Sequence, residues 1–379
     1  MNCDFTESQK TLKTMARGFL EKECPKAMVR EILDSETGYS TELWQTIAEL
    51  GWTSMPFPEK YGGEEADLID MVVLYEEVGR ALMSTPHLTS VILSGLTILK
   101  CGSEVQKDEF IPKIAKGELI FTLALTESEY RWDAASVTTT AIPDGDSYVI
   151  KGTKLLIPYA NIADHLLVVA KTGKGVPEES ISLFIVDAQN TTGLTCKRLS
   201  GNFTEPLCEV TFENVKVPNS GLSGEVNKGW PHLQEVMKTA IVLLCAETVG
   251  GVEFVSELTV NYTKERMQFG QYIGAFQRIQ DRIINIVNAL DRAKWLTYDA
   301  AWRLSEGMPC NIEVSAAKAY SSAAYTTACQ ESAHVHAGTG FLKDYDLWLY
   351  HKKAWTTDHY LGSTDYHRKL AAKELLDTG

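Results

Sequence analysis

Near Glu118 the apolar residues of this chain change their spacing, and near Pro218 they change it back. No other feature limits the possible folds as much. Before the first switch the spacing is three to four residues: Leu12, Met15 and Phe19, then Leu43, Ile47 and Leu50 each mark one face of a helix. Thr6 is placed to cap the first of these, and further helices are predicted over 67–82, 89–99 and 104–116. The run Pro56-Phe57-Pro58-Glu59-Lys60-Tyr61-Gly62-Gly63 is too rich in breakers to be anything but a loop. Between the switches lie short segments rich in apolar or β-branched residues, at 120–125, 148–150, 165–170, 182–186 and 209–212. Turn residues such as Pro143-Asp144-Gly145-Asp146 separate them, as in a small β-barrel or sandwich. After Gly229-Trp230 the helical period returns, with Leu233, Val236, Ile241 and Leu244, then Val249, Val252, Val255 and Leu258, on one long buried helix. The expected architecture is mainly α with an inserted β-barrel: a helical domain over 1–118, a β-domain over 119–226 and a helical bundle over 227–379.

The chain's 379 residues, 44% hydrophobic, suffice for two or three domains with a large core. A net charge of -14, with the acidic residues dispersed, argues against a nucleic-acid or anionic-membrane surface. Eight cysteines are scattered without a C-x-x-C pair, which fits free thiols in a reducing compartment better than a disulfide framework or a metal site. No basic-plus-apolar segment stands at the start, and no uninterrupted run of about 18 apolar residues occurs. The expectation is a cytoplasmic protein that does not span a membrane.

Residues 262–280 carry the strongest functional signal. The long helix ends at Arg266, Phe269-Gly270 turns the chain, and another helix begins near Phe276-Gln277. Arg266 would present a planar, permanent cation suited to a diphosphate. Phe269 offers a ring, and Gln277 offers both a donor and an acceptor to a ribose or a heterocycle.

In this order and spacing, Pro58-Glu59-Lys60-Tyr61-Gly62-Gly63, Ala124-Leu125-Thr126-Glu127, Ile150-Lys151-Gly152-Thr153-Lys154, Val215-Lys216-Val217-Pro218, Lys228-Gly229-Trp230, Glu265-Arg266-Met267-Gln268-Phe269-Gly270, Phe276-Gln277 and His336-Ala337-Gly338-Thr339-Gly340 resemble the acyl-CoA dehydrogenase family. The resemblance covers essentially the whole chain. It implies FAD held between barrel and bundle, a tetramer (a dimer of dimers) in which a neighbouring subunit closes the site, and an electron-transfer flavoprotein as acceptor. It implies removal of an α-proton from an acyl-CoA thioester with hydride transfer from Cβ to the flavin. By the same resemblance Arg266, Phe269 and Gln277 contact the diphosphate and adenosine half, and Gly338 lets the backbone approach the cofactor. His334 stands where relatives commonly have a flavin-binding Gln, Thr126 matches a contact to the isoalloxazine ring, and Ser363 matches a cofactor-side Thr.

Four departures from the family pattern follow. Relatives carry a catalytic Glu in Tyr-Glu-Gly-Thr; this chain has Tyr360-Leu361-Gly362-Ser363, so Tyr360 and Leu361 are expected at the substrate but no base is there. The other family position for that Glu is Ala240. Glu247 lies seven residues further, two turns along on nearly the same face and roughly 10 Å down the axis. Amid Leu, Cys, Ala and Val it would be desolvated, which suits a general base; the plainer reading is a buried Glu paired with a neighbouring helix. Second, Pro158 replaces the Thr that hydrogen-bonds the flavin, and it has neither hydroxyl nor N–H. Third, Arg131 and Trp132 replace small residues at the CoA entrance, where they narrow it or recognise a distinct group. Fourth, the usual Arg-Asp pair before the C-terminal segment appears as His351-Lys352-Lys353, a change expected to affect a local ion pair.

These features are expected of an FAD-dependent enzyme that dehydrogenates an acyl-CoA with a cyclic, aromatic or branched acyl group. Two alternatives stay open: a non-oxidative lyase, hydratase or desulfinase on the same fold, or a non-catalytic partner subunit in a heterotetramer.

Overall fold

The computed structural model describes residues 5–377. Six α-helices come first: α1 (Glu7–Glu23), α2 (Lys26–Asp34), α3 (Thr41–Glu49), α4 (Leu68–Ala81), α5 (Leu96–Cys101) and α6 (Glu104–Ala115). Strands β1 (Phe121–Ala124), β2 (Thr140–Asp144), β3 (Ser147–Pro158) and β4 (His165–Lys171) follow. Then come β5 (Ile181–Asp187), β6 (Leu194–Arg198), β7 (Leu207–Pro218) and β8 (Leu222–Ser223). The rest of the chain is α7 (Gly229–Glu265), a hairpin of β9 (Met267–Gln268) and β10 (Gln271–Tyr272), α8 (Gln277–Ser305), α9 (Asn311–His336), α10 (Leu347–His359) and α11 (Thr364–Asp377).

Local chemistry sets where several helices begin. Gln9 N donates to Thr6 Oγ1 at 3.2 Å and Thr6 N donates to Gln9 Oε1 at 3.0 Å, the reciprocal box that closes the start of α1. Asp67 with Asp70 and Ser103 with Gln106 repeat it for α4 and α6. The helix expected over 89–99 differs: Leu88–Gly95 is π-helical and runs into α5. Ser94 Oγ donates to Thr89 O, five residues back, at 2.8 Å, a reach that matches the wider turn.

The chain packs as two compact units that do not follow the three sequence blocks. One comprises Ile32–Ala66 and Ser84–Ala240, and it contains the sheet. The strand order is β6-β7-β3-β2-β4-β5-β8, with β1 added parallel to β4, so β6 and β8 stand at the two ends. Phe184, Val186, Val168, Ile150, Val210 and Phe212 are among the side chains that fill its core. Strand β3 is far longer than the expected 148–150. Its register against β7 shifts between Ile150 and Gly152 and between Lys154 and Ile157, and these bulges break the alternation that marks a strand in sequence. Strands β2 and β6 were not expected either. β6 is almost wholly exposed and β2 carries Pro143, so neither shows an apolar face.

The other unit comprises Met1–Glu31, Asp67–Met83 and Ile241–Gly379. Here α4 and α7 touch backbone to backbone. A Cβ on Gly79 would lie 1.7 Å from Glu247 O, and one on Gly250 would lie 1.7 Å from Glu76 O. By length and composition α7 could cross a membrane, but 72% of its most apolar window is buried inside the protein, as for a core helix. Beside this crossing Glu77 is buried and held in a fork by Arg17, with Nε and Nη2 each 2.8 Å from a carboxylate oxygen.

Candidate active site

In the sheet-bearing unit the relevant residues surround the end of β1. Thr126 is buried; its Oγ1 donates to Leu155 O at 2.6 Å, and Leu155 N donates to Thr126 O at 2.8 Å. Next to it lies an ion pair that the sequence reading missed. Lys154 Nζ, fully buried, is 2.7 Å from Glu127 Oε1 and 3.0 Å from Leu125 O. Glu127 also accepts from Thr139 N at 3.0 Å and from the Thr138 backbone and hydroxyl. Burial opposes ionisation of Glu127, but Lys154 and these hydrogen bonds outweigh it and hold the carboxyl at about 2. Burial brings Lys154 down to about 8 against the pull of Glu127. Along the sequence nothing separates Lys154, buried on β3, from Lys151, exposed three residues earlier on the same strand. Pro158 is buried at the end of β3, where its carbonyl accepts from Thr122 Oγ1 at 2.7 Å. Left-handed Leu156 and Tyr159 flank it, with φ of 57° each, so the backbone here is shaped by bulge geometry.

The loop after Glu127 carries Tyr130, Arg131 and Trp132. Trp132 is buried, edge-on to Tyr130 with ring centroids 6.0 Å apart. Arg131 is exposed, and its Nη2 is 2.8 Å from Asp133 Oδ2.

In the helical unit the corner at 266–277 has the expected turn, with the β9/β10 hairpin added. The helix stops at Glu265, one residue before Arg266. Phe269 and Gly270, both with positive φ (53° and 81°), close the two-residue turn of a hairpin, and Phe269 is 92% exposed. The Arg266 guanidinium is exposed and has no ion pair or hydrogen bond among the described residues. No side chain caps the start of α8, where Gln277 is the first residue and exposed. His334 and Gly338 are also exposed, and a Cβ on Gly338 would meet no atom within 4 Å. An uncommitted guanidinium, an uncapped helix start and an open glycine fit a phosphorylated dinucleotide. Two residues from His334, His336 is buried against Tyr262 and Tyr345, with ring centroids at 4.2 and 5.2 Å.

The segment at 360–363 is tightly held. Leu361 is 1% exposed with φ of 59°, and Gly362 has φ of 104°. His367 Nε2 donates to Leu361 O at 2.8 Å. Burial pushes His367 down to about 4, so its ring is neutral at pH 7. Lys318, also buried, donates to Thr357 O at 2.8 Å and to Asp358 O at 3.2 Å, just before the segment. Ser363 is half-buried, and its Oγ accepts from Tyr366 N at 3.3 Å.

Glu247 is buried as expected, but its carboxylate is not alone: Lys353 Nζ on α10 lies 2.7 Å from Oε1. The carboxyl is therefore not desolvated alone, as expected from its apolar neighbours in sequence, because a buried cation offsets the cost of ionisation. The fully buried Tyr75 feels both Glu247 and Tyr360, and burial with these neighbours pushes its phenol well above its ordinary value. Glu247, Tyr75 and Tyr360 thus share one neighbourhood within this unit.

The chain matches family models along most of its length: acyl-CoA dehydrogenase, N-terminal domain, over residues 6–118; the middle domain over 122–215; and the C-terminal domain over 227–376. It is 31% identical to the probable acyl-CoA dehydrogenase YngJ of Bacillus subtilis, over 99% of this chain and all of that protein. It is 30% identical to the acryloyl-CoA reductase (NADH) of Anaerotignum propionicum, over 99% of this chain and 96% of that one. Among solved structures, butyryl-CoA dehydrogenase of Megasphaera elsdenii superposes with a TM-score of 0.91 at 26% identity, covering 99% of this chain and all of that one. The expected fold class, N-terminal helical, middle β and C-terminal helical domains along the chain, is the one observed. The chain belongs to the acyl-CoA dehydrogenase family and is an oxidoreductase of acyl-CoA substrates.

Proposed function

We propose that the protein uses FAD to interconvert an acyl-CoA and its 2-enoyl-CoA, with a cyclic, aromatic or branched acyl group. The observation that most supports this reading is Arg266, an exposed guanidinium without an ion pair or hydrogen bond among the described residues, followed by an uncapped helix start. Arg266 neutralises the diphosphate, while Phe269 and Gln277 bind the adenosine half. Within the helical unit Gly338 admits the cofactor close to the backbone, with His334 and Ser363 as further contacts; Thr126 and Pro158 are assigned to the flavin by the family resemblance. Bound FAD supplies an acceptor for the hydrogen leaving Cβ.

Glu247 takes the α-proton in this reading. Its carboxylate pairs with Lys353, and a base must hold a free lone pair to accept that proton. Arg131 meets an anionic part of the CoA ester, Tyr360 and Leu361 bound the acyl chain, and Trp132 narrows the entrance from within its loop. Electrons pass to an electron-transfer flavoprotein. The exposed Phe269 hairpin is covered by a neighbouring subunit in a cytoplasmic tetramer, either homomeric or built with an unlike chain.

Anaerobic mixing of the yellow protein with a panel of acyl-CoA thioesters tests the reaction: a true substrate bleaches the flavin and yields the enoyl ester by mass. Retention of full colour with every ester, alongside turnover to a hydrated or cleaved product, would overturn this reading. Replacing Glu247 with Gln should abolish bleaching while the colour remains.

A further inference from the structure

We infer that Lys154 is a positioning residue for the flavin, clamping the chain on both sides of Thr126. This rests on the reading of Thr126 as a flavin contact and goes beyond it. One ammonium reaches Leu125 O at 3.0 Å and Glu127 Oε1 at 2.7 Å, so the residues before and after Thr126 are tied to a single atom. The next residue, Leu155, exchanges two hydrogen bonds with Thr126 itself. Three consecutive residues of the β1 exit are therefore fastened to two consecutive residues of β3. The far end of the clamp is fixed as well, because Glu127 is held by Thr138 and Thr139.

The arrangement sits where β3 slips register, between Lys154 and Ile157, and where Leu156 is left-handed. A bulge frees the strand from its ladder, so side chains must define its path there. A buried pair is a poor source of stability compared with apolar residues of similar size, but it fixes geometry through directed bonds. With Pro158 unable to donate to the cofactor, the contacts of Thr126 carry more of its placement, and Lys154 holds them.

The test uses the full-length protein, with FAD affinity and the visible spectrum of bound flavin as readouts. Lys154→Met alone strands the Glu127 carboxylate and could prevent folding, so the informative variant is Lys154→Met with Glu127→Leu, which removes both charges. It should fold, bind FAD at least tenfold more weakly and show an altered flavin absorption band. Val215→Ala, in the core of the same sheet, controls for lost stability and should leave affinity and spectrum unchanged. In a Thr126→Ala background the double variant should have a smaller effect than in the wild type. Wild-type affinity and spectrum in the double variant, or effects that simply add to those of Thr126→Ala, would overturn the clamp. Failure of the wild type to bind FAD would sink the functional reading itself, a distinct result.

Discussion

Glu247 on α7 and Lys353 on α10 form an ion pair with Oε1 and Nζ 2.7 Å apart, both side chains largely buried. In sequence Glu247 is an acid in an apolar run and Lys353 one of two adjacent lysines, and packing makes them partners. Removing one member of such a pair strands the other in a low-dielectric site and costs about 3–5 kcal/mol. Lys353→Met should therefore lower stability by that order, measured by urea unfolding. Adding Glu247→Leu should recover much of it; a second loss that simply adds would show the pair to be uncoupled.

The crossing of α4 and α7 leaves no room for a methyl group. Gly250→Ala would drive its Cβ into Glu76 O, and overpacking of this kind costs about 1–3 kcal/mol or more. Gly338→Ala meets nothing within 4 Å, so its folding stability should change by less than about 0.5 kcal/mol. FAD retention should nonetheless fall in Gly338→Ala, seen as loss of colour on gel filtration, while thermal unfolding of the apoprotein stays put.

Arg266→Ala should leave the folded apoprotein unaffected, since the side chain is exposed and engages nothing within the described residues. A charge-assisted hydrogen bond contributes about 1.5–3 kcal/mol, so FAD should bind roughly 10- to 100-fold more weakly by fluorescence titration. Unchanged affinity would move the diphosphate site elsewhere.

Stability should fall with acid through a window set by buried histidines. Burial lowers His367 and His87 from the ordinary 6.5 to about 4. Between these values the unfolded chain binds more protons than the folded one, so each contribution is complete above pH 6.5 and is lost as pH falls towards 4. Each is worth on the order of 3 kcal/mol. Unfolding free energies at pH 4.5 and 7 should differ less in His367→Asn than in the wild type. An equal pH dependence in the two proteins would mean that His367 does not titrate in this way.

Much of the fold is written in neighbouring residues. The caps at Thr6, Asp67 and Ser103 act over three positions, the helical faces over four, and the Phe269-Gly270 turn over two, so each can be read along the chain. The sequence by itself thus determined the helix, strand and helix order, the family, and the exposed corner at Arg266. Only the tertiary structure decided who answers each buried charge. Glu247 meets Lys353, and Lys154 meets Glu127, across spans in which no periodicity links one residue to the other. The same holds for β2, β6 and the bulged length of β3, which are strands because neighbours supply hydrogen bonds and not because their own apolar pattern alternates. Desolvation makes such partners obligatory, but which residues come together is settled by how the backbone packs.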